Sequence, residues 1–178
     1  MRRLHRRLAL LATATAMVSA PAAAELVFWK EVAGWRISRS SDEPSCTMTS
    51  SYEREGQTFL FLNYTPAKDD AYLAISNNLW QSIVEDEKMV LDYHLGGEVW
   101  SDVKATGLSY SDRSKGFSSL FDGSDFLTDF ALAPYLKIMR GETVIDRLSL
   151  KGTKAAVIEL SRCAASRNKG LLKDPFAN

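Results

Sequence analysis

Apolar residues recur at every second position through much of this chain. In residues 46–52, Cys46, Met48 and Tyr52 share one face and Thr47, Thr49 and Ser51 the other, the period of a half-buried strand. Residues 88–95 alternate in the same way, with Met89, Leu91, Tyr93 and Leu95 set against Val90, Asp92 and His94. Val27–Trp29 and Gly34–Ile37 favour extended backbone, and Trp35 shares parity with Ile37, which marks it as core. Thr58–Tyr64 is a nearly unbroken apolar run, which predicts a strand covered on both faces. Ala71–Ser76 reads as a short strand ending at Asn77-Asn78, and Gly96-Gly97 as a turn. Beyond that turn, 98–100 and 103–110 read as separate short strands.

The period changes after residue 121. Asp122–Ala131 reads as a helix, with Asp122 or Ser124 as the cap, Asp125 at the positive end of the dipole and Pro134 closing it. Tyr135–Arg140 and Thr143–Leu148 predict a hairpin across Gly141-Glu142. From Thr153 the period is helical. Ala156, Val157, Leu160, Cys163 and Ala164 form one face, Lys154, Glu159 and Arg162 lie off it, and Ile158 fits neither. Residues 168–178 have no period and are expected to form a tail. The resulting fold class is α+β. The expected domain is an antiparallel, sandwich-like sheet spanning 25–167, with one short internal helix and a C-terminal helix packed on the sheet. Residues 71–77 and 134–140 echo one another, as a repeated unit would.

The first residues change the compartment. Arg2, Arg3, Arg6 and Arg7 precede an uncharged apolar stretch from Leu8 to Val18, and Ala22 and Ala24 satisfy a small-x-small cleavage rule. This pattern predicts a signal peptide over 1–24, cut before Glu25, and a periplasmic or secreted product. Arg6-Arg7 loosely matches a twin-arginine signal, but His5 and Leu10 flank it poorly, so general secretion fits better. The whole chain carries 22 Lys+Arg and 22 Asp+Glu; without the leader's four Arg the formal charge is −4. A mildly acidic chain with no basic stripe is a poor match to nucleic acid, and nothing after the leader is apolar enough to span a bilayer.

Export also bears on the cysteines. Cys46 lies on a strand's core face and Cys163 on a helix's core face, and an exported chain with two cysteines usually pairs them. The expected Cys46–Cys163 disulfide ties the last helix to an early strand and removes thiol chemistry. His94 is the sole histidine after the leader, which excludes a three-His zinc site and HExxH; no GxSxG elbow or phosphate-binding glycine loop is present. Asp122, Asp125 and Asp129 are close in sequence, but Phe126 stands where an EF-hand would need a ligand. No metal, cofactor or catalytic residue is therefore assigned. Among the tryptophans, Trp80 follows Asn77-Asn78 in a turn-like stretch. It is the best candidate for an exposed binding surface made with Asn77 and Asn78.

Leu148-Ser149-Leu150-Lys151-Gly152-Thr153-Lys154-Ala155-Ala156, followed by Leu160 and Cys163, resembles the closing segment of exported proteobacterial proteins of the invasion-associated locus B kind. Thr153 stands where that family is expected to carry Phe. The resemblance implies an envelope or secreted role and carries over no catalytic residue. The function expected from these features is a non-catalytic exported module binding a protein or an envelope glycan. A carboxylate-dependent hydrolase of envelope polymers, with two acids in one cleft, or a small-ligand carrier with a large apolar cavity, are the alternatives.

Overall fold

The computed structural model describes residues 25–168. They form ten strands and two helices: β1 (Leu26–Val32), β2 (Trp35–Ser40), β3 (Cys46–Tyr52), β4 (Thr58–Thr65), β5 (Asp70–Asn77), β6 (Lys88–Leu95), β7 (Glu98–Ser111), β8 (Ser114–Asp122), α1 (Gly123–Leu132), β9 (Tyr135–Arg140), β10 (Thr143–Ser149) and α2 (Thr153–Asn168). The chain is α+β, mostly antiparallel sheet with two helices. The strands form one sheet in the order β1-β2-β3-β4-β5-β8-β7-β6-β9-β10. The predicted signal peptide, and the expected tail beyond Asn168, lie outside the described residues.

Strand alternation selects one inner face. Trp35, Ile37, Met48, Leu60, Leu62, Leu73, Ile75, Leu91, Tyr93, Phe117, Leu136, Ile138 and Leu148 all point to it and are buried. The Tyr93 hydroxyl is 2.7 Å from Ser119 Oγ in this core, and burial pushes the phenol's pKa up. The sheet curls until β10, at one end of the order, returns to β3 and β4. Tyr52 Oη donates to Ser149 O at 2.9 Å, Thr58 Oγ1 to Asp146 Oδ2 at 3.1 Å, and Arg54 forms an ion pair with Asp146. Trp35 Nε1 reaches Lys151 O at 3.2 Å. The pairing of Asp146 with Arg54 and Thr58 offsets the cost of burying a carboxylate there.

The two helices close one mouth of this curl. The predicted inward face of α2, Ala156, Val157, Leu160, Cys163 and Ala164, is buried, and Cys163 forms a disulfide with Cys46 with Cα atoms 6.1 Å apart. Glu159 lies off that face by period, yet it is nearly covered because β1 reaches it with Lys30 (3.3 Å) while Arg162 pairs from within the helix. Burial opposes its charge, but hydrogen bonds and charge from Arg162 and Lys30 outweigh that and hold its carboxyl pKa below 4.5.

Several expectations need correction. Asp122 occupies the N-cap position of α1, as expected, but its side chain makes no capping hydrogen bond. Asp69, in the turn between β4 and β5, supplies one from outside: its carboxylate accepts Ser124 N–H at 3.0 Å and Ser124 Oγ–H at 2.8 Å. Residues 98–111 are one strand, carried past a left-handed Asp102 (φ 56°) whose N–H bonds Asp92 Oδ1. Strand β8 has no counterpart in the sequence pattern. Ser and Lys dominate its start, and Gly116 obscures its period, yet it is central to the sheet. A Cβ at Gly116 would stand 2.0 Å from Ile75 O, so only glycine permits the close approach of β8 to β5. The echoing segments differ in use: β5 folds back on β4 before it, β9 forward on β10 after it.

Two tests address how α2 is tied down. Replacing both Cys46 and Cys163 with Ala should lower stability to urea by roughly 2–5 kcal/mol, because the bond closes a long loop in the unfolded chain. An unchanged unfolding midpoint would contradict the clamp. Because the folded pKa of Glu159 is depressed, its contribution should be complete above pH 4.5 and fade as pH falls through the folded value. Glu159→Gln should therefore destabilise at neutral pH and match wild type in strong acid, as followed by thermal melts.

Candidate functional site

The loop carrying the sequence candidates closes the mouth opposite the helices. Asn77 ends β5 buried and supports the loop: its amide donates to Glu55 O at 3.3 Å and Thr58 Oγ1 at 2.9 Å, and its Oδ1 accepts Leu79 N–H at 2.8 Å. Asn78 is exposed, with its N–H bonded to Gly56 O. The half-buried Trp80 ring stacks on core Phe117 (centroids 5.4 Å apart, planes at 14°). With Ile83, Met89, Ile145 and Arg140 it lines a recess of about 300 Å³. This is at the low end for a small-molecule pocket.

The other tryptophans with inward contacts are engaged in packing. Trp35 is 2% exposed and meets Phe130 edge-on; Trp100 packs against Phe121 and Phe126 and donates Nε1–H to Asp129 Oδ2 at 2.9 Å. A recess beside Trp100, about 400 Å³, is lined by Glu98, Asp125, Thr128 and Asp129. Among the described residues no group of His, Cys, Asp and Glu has the arrangement to hold a metal ion. His94 is flanked across the sheet by Val99 and Lys137, neither of which completes a triad. A further groove, between α1 and α2, is lined by Tyr64, Leu127, Leu132, Val157 and Ile158, which is where Ile158 goes.

The most unusual surface is one that the sequence pattern assigns to the interior. The apolar run in β4 is covered on one face only: Leu60 and Leu62 enter the core, whereas Phe59 and Phe61 point outward, with Phe59 43% exposed. Strand register extends this outer face in three rows. One runs Arg36, Thr49, Phe61, Ala74, Ser118, Thr106, Lys88 across β2-β3-β4-β5-β8-β7-β6. Beside it run Ser51, Phe59, Ser76, Gly116, Leu108 and, on the other side, Ser38, Thr47, Asn63, Tyr72, Leu120.

On β3, β4, β5 and β8 these rows contain no charged residue; Arg36 and Lys88 end the first row, and Lys104 stands on the same face of β7 beside Thr106. In the first two rows β5 and β8 carry the small, buried residues Ala74, Ser76, Gly116 and Ser118, of which Ala74 lines the hollow beside them. Phe59, Phe61 and Tyr72 face Leu108 and Tyr110 across a hollow of about 290 Å³. Tyr110 and Leu120 stand 55% and 58% exposed. Partial desolvation and the nearby Tyr72 phenol push the Tyr110 hydroxyl up to about 12.

Sequence reasoning missed this site because a run without alternation is equally the mark of a strand buried on both faces. The signal available was the failure of β4 to place polar residues at 59 and 61. Compared with known proteins, the chain matches no family model, no curated protein and no solved structure.

Rings that hold the fold and rings that do not should separate by stability. Trp80→Ala, which exposes Phe117 and opens the recess, should cost about 1–3 kcal/mol. Phe59→Ser should stay within about 0.5 kcal/mol of wild type in urea titrations. Equal losses would show that Phe59 is packed.

Proposed function

We propose that the chain is a non-catalytic module, exported to the periplasm or beyond, that binds a protein or cell-envelope component through the aromatic trough on the outer face of β4-β5-β8-β7. The observation that carries this reading is exposure without structural need. The core is filled from the inner face, yet Phe59 and Tyr110 present apolar surface to solvent around a hollow, and Leu120 stands exposed on the same face. Export is supported by the leader-like residues 1–24, the paired cysteines and the resemblance of Leu148–Ala156 to exported envelope proteins. We read the curled sheet as sandwich-like, with its outer face free to meet a partner. Among the described residues no helix is long and apolar enough to cross a membrane.

N-terminal sequencing of the exported product should begin at Glu25. The oxidised protein should co-sediment with an insoluble envelope fraction. Phe59→Ser combined with Tyr110→Ser should weaken that association about tenfold, whereas Trp80→Ala should leave it within about twofold. Equal retention by all three proteins would remove the trough as the binding surface.

A second reading, a hydrolase of envelope polymers, is favoured by the recess where Glu98 and Asp125 stand beside Asp129. It requires release of reducing ends from peptidoglycan that Glu98→Gln or Asp125→Asn abolishes. Binding without release supports the module.

A further inference from the structure

We infer that the outer edge of β1 pairs with β1 of a second copy of this chain, antiparallel and about a two-fold axis at Val27, so that two sheets join into one. This goes beyond the trough and does not depend on it.

The two ends of the strand order are finished differently. At β10 the molecule closes the edge itself. Tyr52 Oη donates to Ser149 O at 2.9 Å and Arg54 Nη1 to Arg147 O at 2.7 Å, so side chains take alternate carbonyls of the strand. Strand β1 ends the order on the other side and, among the described residues, pairs with β2 alone. Sheets commonly blunt such an edge with charge, proline or a cover. Leu26-Val27-Phe28-Trp29 carries neither charge nor proline, and Leu26 and Phe28 are 46% and 51% exposed. The Arg36 guanidinium lies over the Phe28 ring at 4.9 Å and still leaves it half exposed. The first charged residue, Lys30, is held toward α2 by Glu159 at 3.3 Å.

Ladder parity identifies the backbone groups on the open edge. Ser41 N–H donates to Glu25 O at 2.9 Å, whereas Ser40 N–H turns away from β1 to Ser45 O at 3.2 Å. Bonded and non-bonded pairs alternate along an antiparallel ladder. Leu26 stands opposite Ser40 and Phe28 opposite Ser38, so both belong to non-bonded pairs and their N–H and C=O groups point away from β2. The bulge between Phe28 and Lys30 ends this regular stretch.

A second copy fits the stretch. Centred on Val27, antiparallel pairing sets Leu26 opposite Phe28 of the second copy, and Phe28 opposite its Leu26. All four residues turn their main-chain groups to the shared edge, so the two pairs exchange four hydrogen bonds, and Val27 meets Val27 of the second copy as the non-bonded pair between them. The axis stands perpendicular to the sheet. Leu26 and Phe28 of both copies therefore lie on one face and cover each other as aliphatic–aromatic cross-strand pairs. A shift of two residues either sets Leu26 against Lys30, past the bulge, or runs Phe28 off the start of the strand. Any extended segment makes the main-chain bonds. Only one with apolar residues two apart also covers both side chains, and β1 is itself such a segment. The paired stretch is short, so the dimer is transient, with dissociation expected at about 1–100 µM.

Sedimentation velocity of the oxidised, exported protein from about 1 to 500 µM tests this pairing, and the coefficient should rise from monomer toward dimer across that range. Phe28→Pro removes an edge N–H and the ring while leaving the β2 ladder whole, so it should weaken association about tenfold or more; Phe28→Tyr should stay within about threefold. Thermal melts report whether Phe28→Pro folds. Val27→Cys gives a reading independent of that variant. Across the axis the two introduced thiols stand on Cα atoms about 4.5 Å apart, within disulfide reach, so mild oxidation should yield a covalent dimer, whereas Glu31→Cys should not. A monomer throughout the range, a folded Phe28→Pro that dimerises like wild type, or equal crosslinking through positions 27 and 31 overturns the pairing.

Discussion

The seam where the curled sheet returns on itself sets the terms for the rest of the molecule. A long antiparallel sheet has one row of edge groups at each end and two faces to satisfy. Here the curl brings β10, one end of the order, back to β3 and β4, and Arg54, Asp146, Thr58 and Tyr52 hold the seam. The curl also turns one face into an interior that a chain of this length can fill. Helices α1 and α2 then close one mouth, and the loop carrying Trp80 closes the other. The disulfide acts on the same geometry, since it joins the strand beside the seam to the helix that closes the mouth. The large core side chains all come from the inner face; on the outer face the close approach of β8 to β5 requires Gly116, while Phe59 and Tyr110 stand largely clear of the packing.

That division explains which elements are legible from sequence. Residues 46–52 and 88–95 alternate cleanly because one side meets the core and the other meets solvent or small polar neighbours, so the periodic reading places them correctly. The face of α2 carrying Cys163 is legible for the same reason. With Cys46 on a core-facing strand position, the two periods together are enough to place the disulfide. Strand β8 is illegible. Its register depends on a glycine that tolerates close approach to β5, a requirement that has no local signature. The cap on α1 is also illegible, because Asp69 supplies it from a turn far earlier in the chain.

The candidate site shows the same limit. Residue type in a turn singles out Trp80, Asn77 and Asn78, and the structure places Asn77 within the framework and Trp80 on Phe117. Phe59 and Phe61 read as interior because an apolar run carries no record of which neighbour covers it. The exposure of Phe59, the lack of charge in the rows across β3, β4, β5 and β8, and the apolar hollow between Phe59, Phe61, Tyr72, Leu108 and Tyr110 are tertiary properties. Together they set this face apart from the acidic recess by Trp100 and the small pocket by Trp80.

The central claim is that binding occurs on the outer face of β4-β5-β8-β7. Amide chemical-shift mapping of the isotopically labelled, oxidised protein, titrated with a solubilised envelope extract, tests it most directly. The account predicts shifts clustered at Phe59, Phe61, Tyr72, Leu108 and Tyr110. Shifts clustered instead at Trp80, Ile83 and Ile145, or at Glu98 and Asp125, or none at any of these positions, would contradict it.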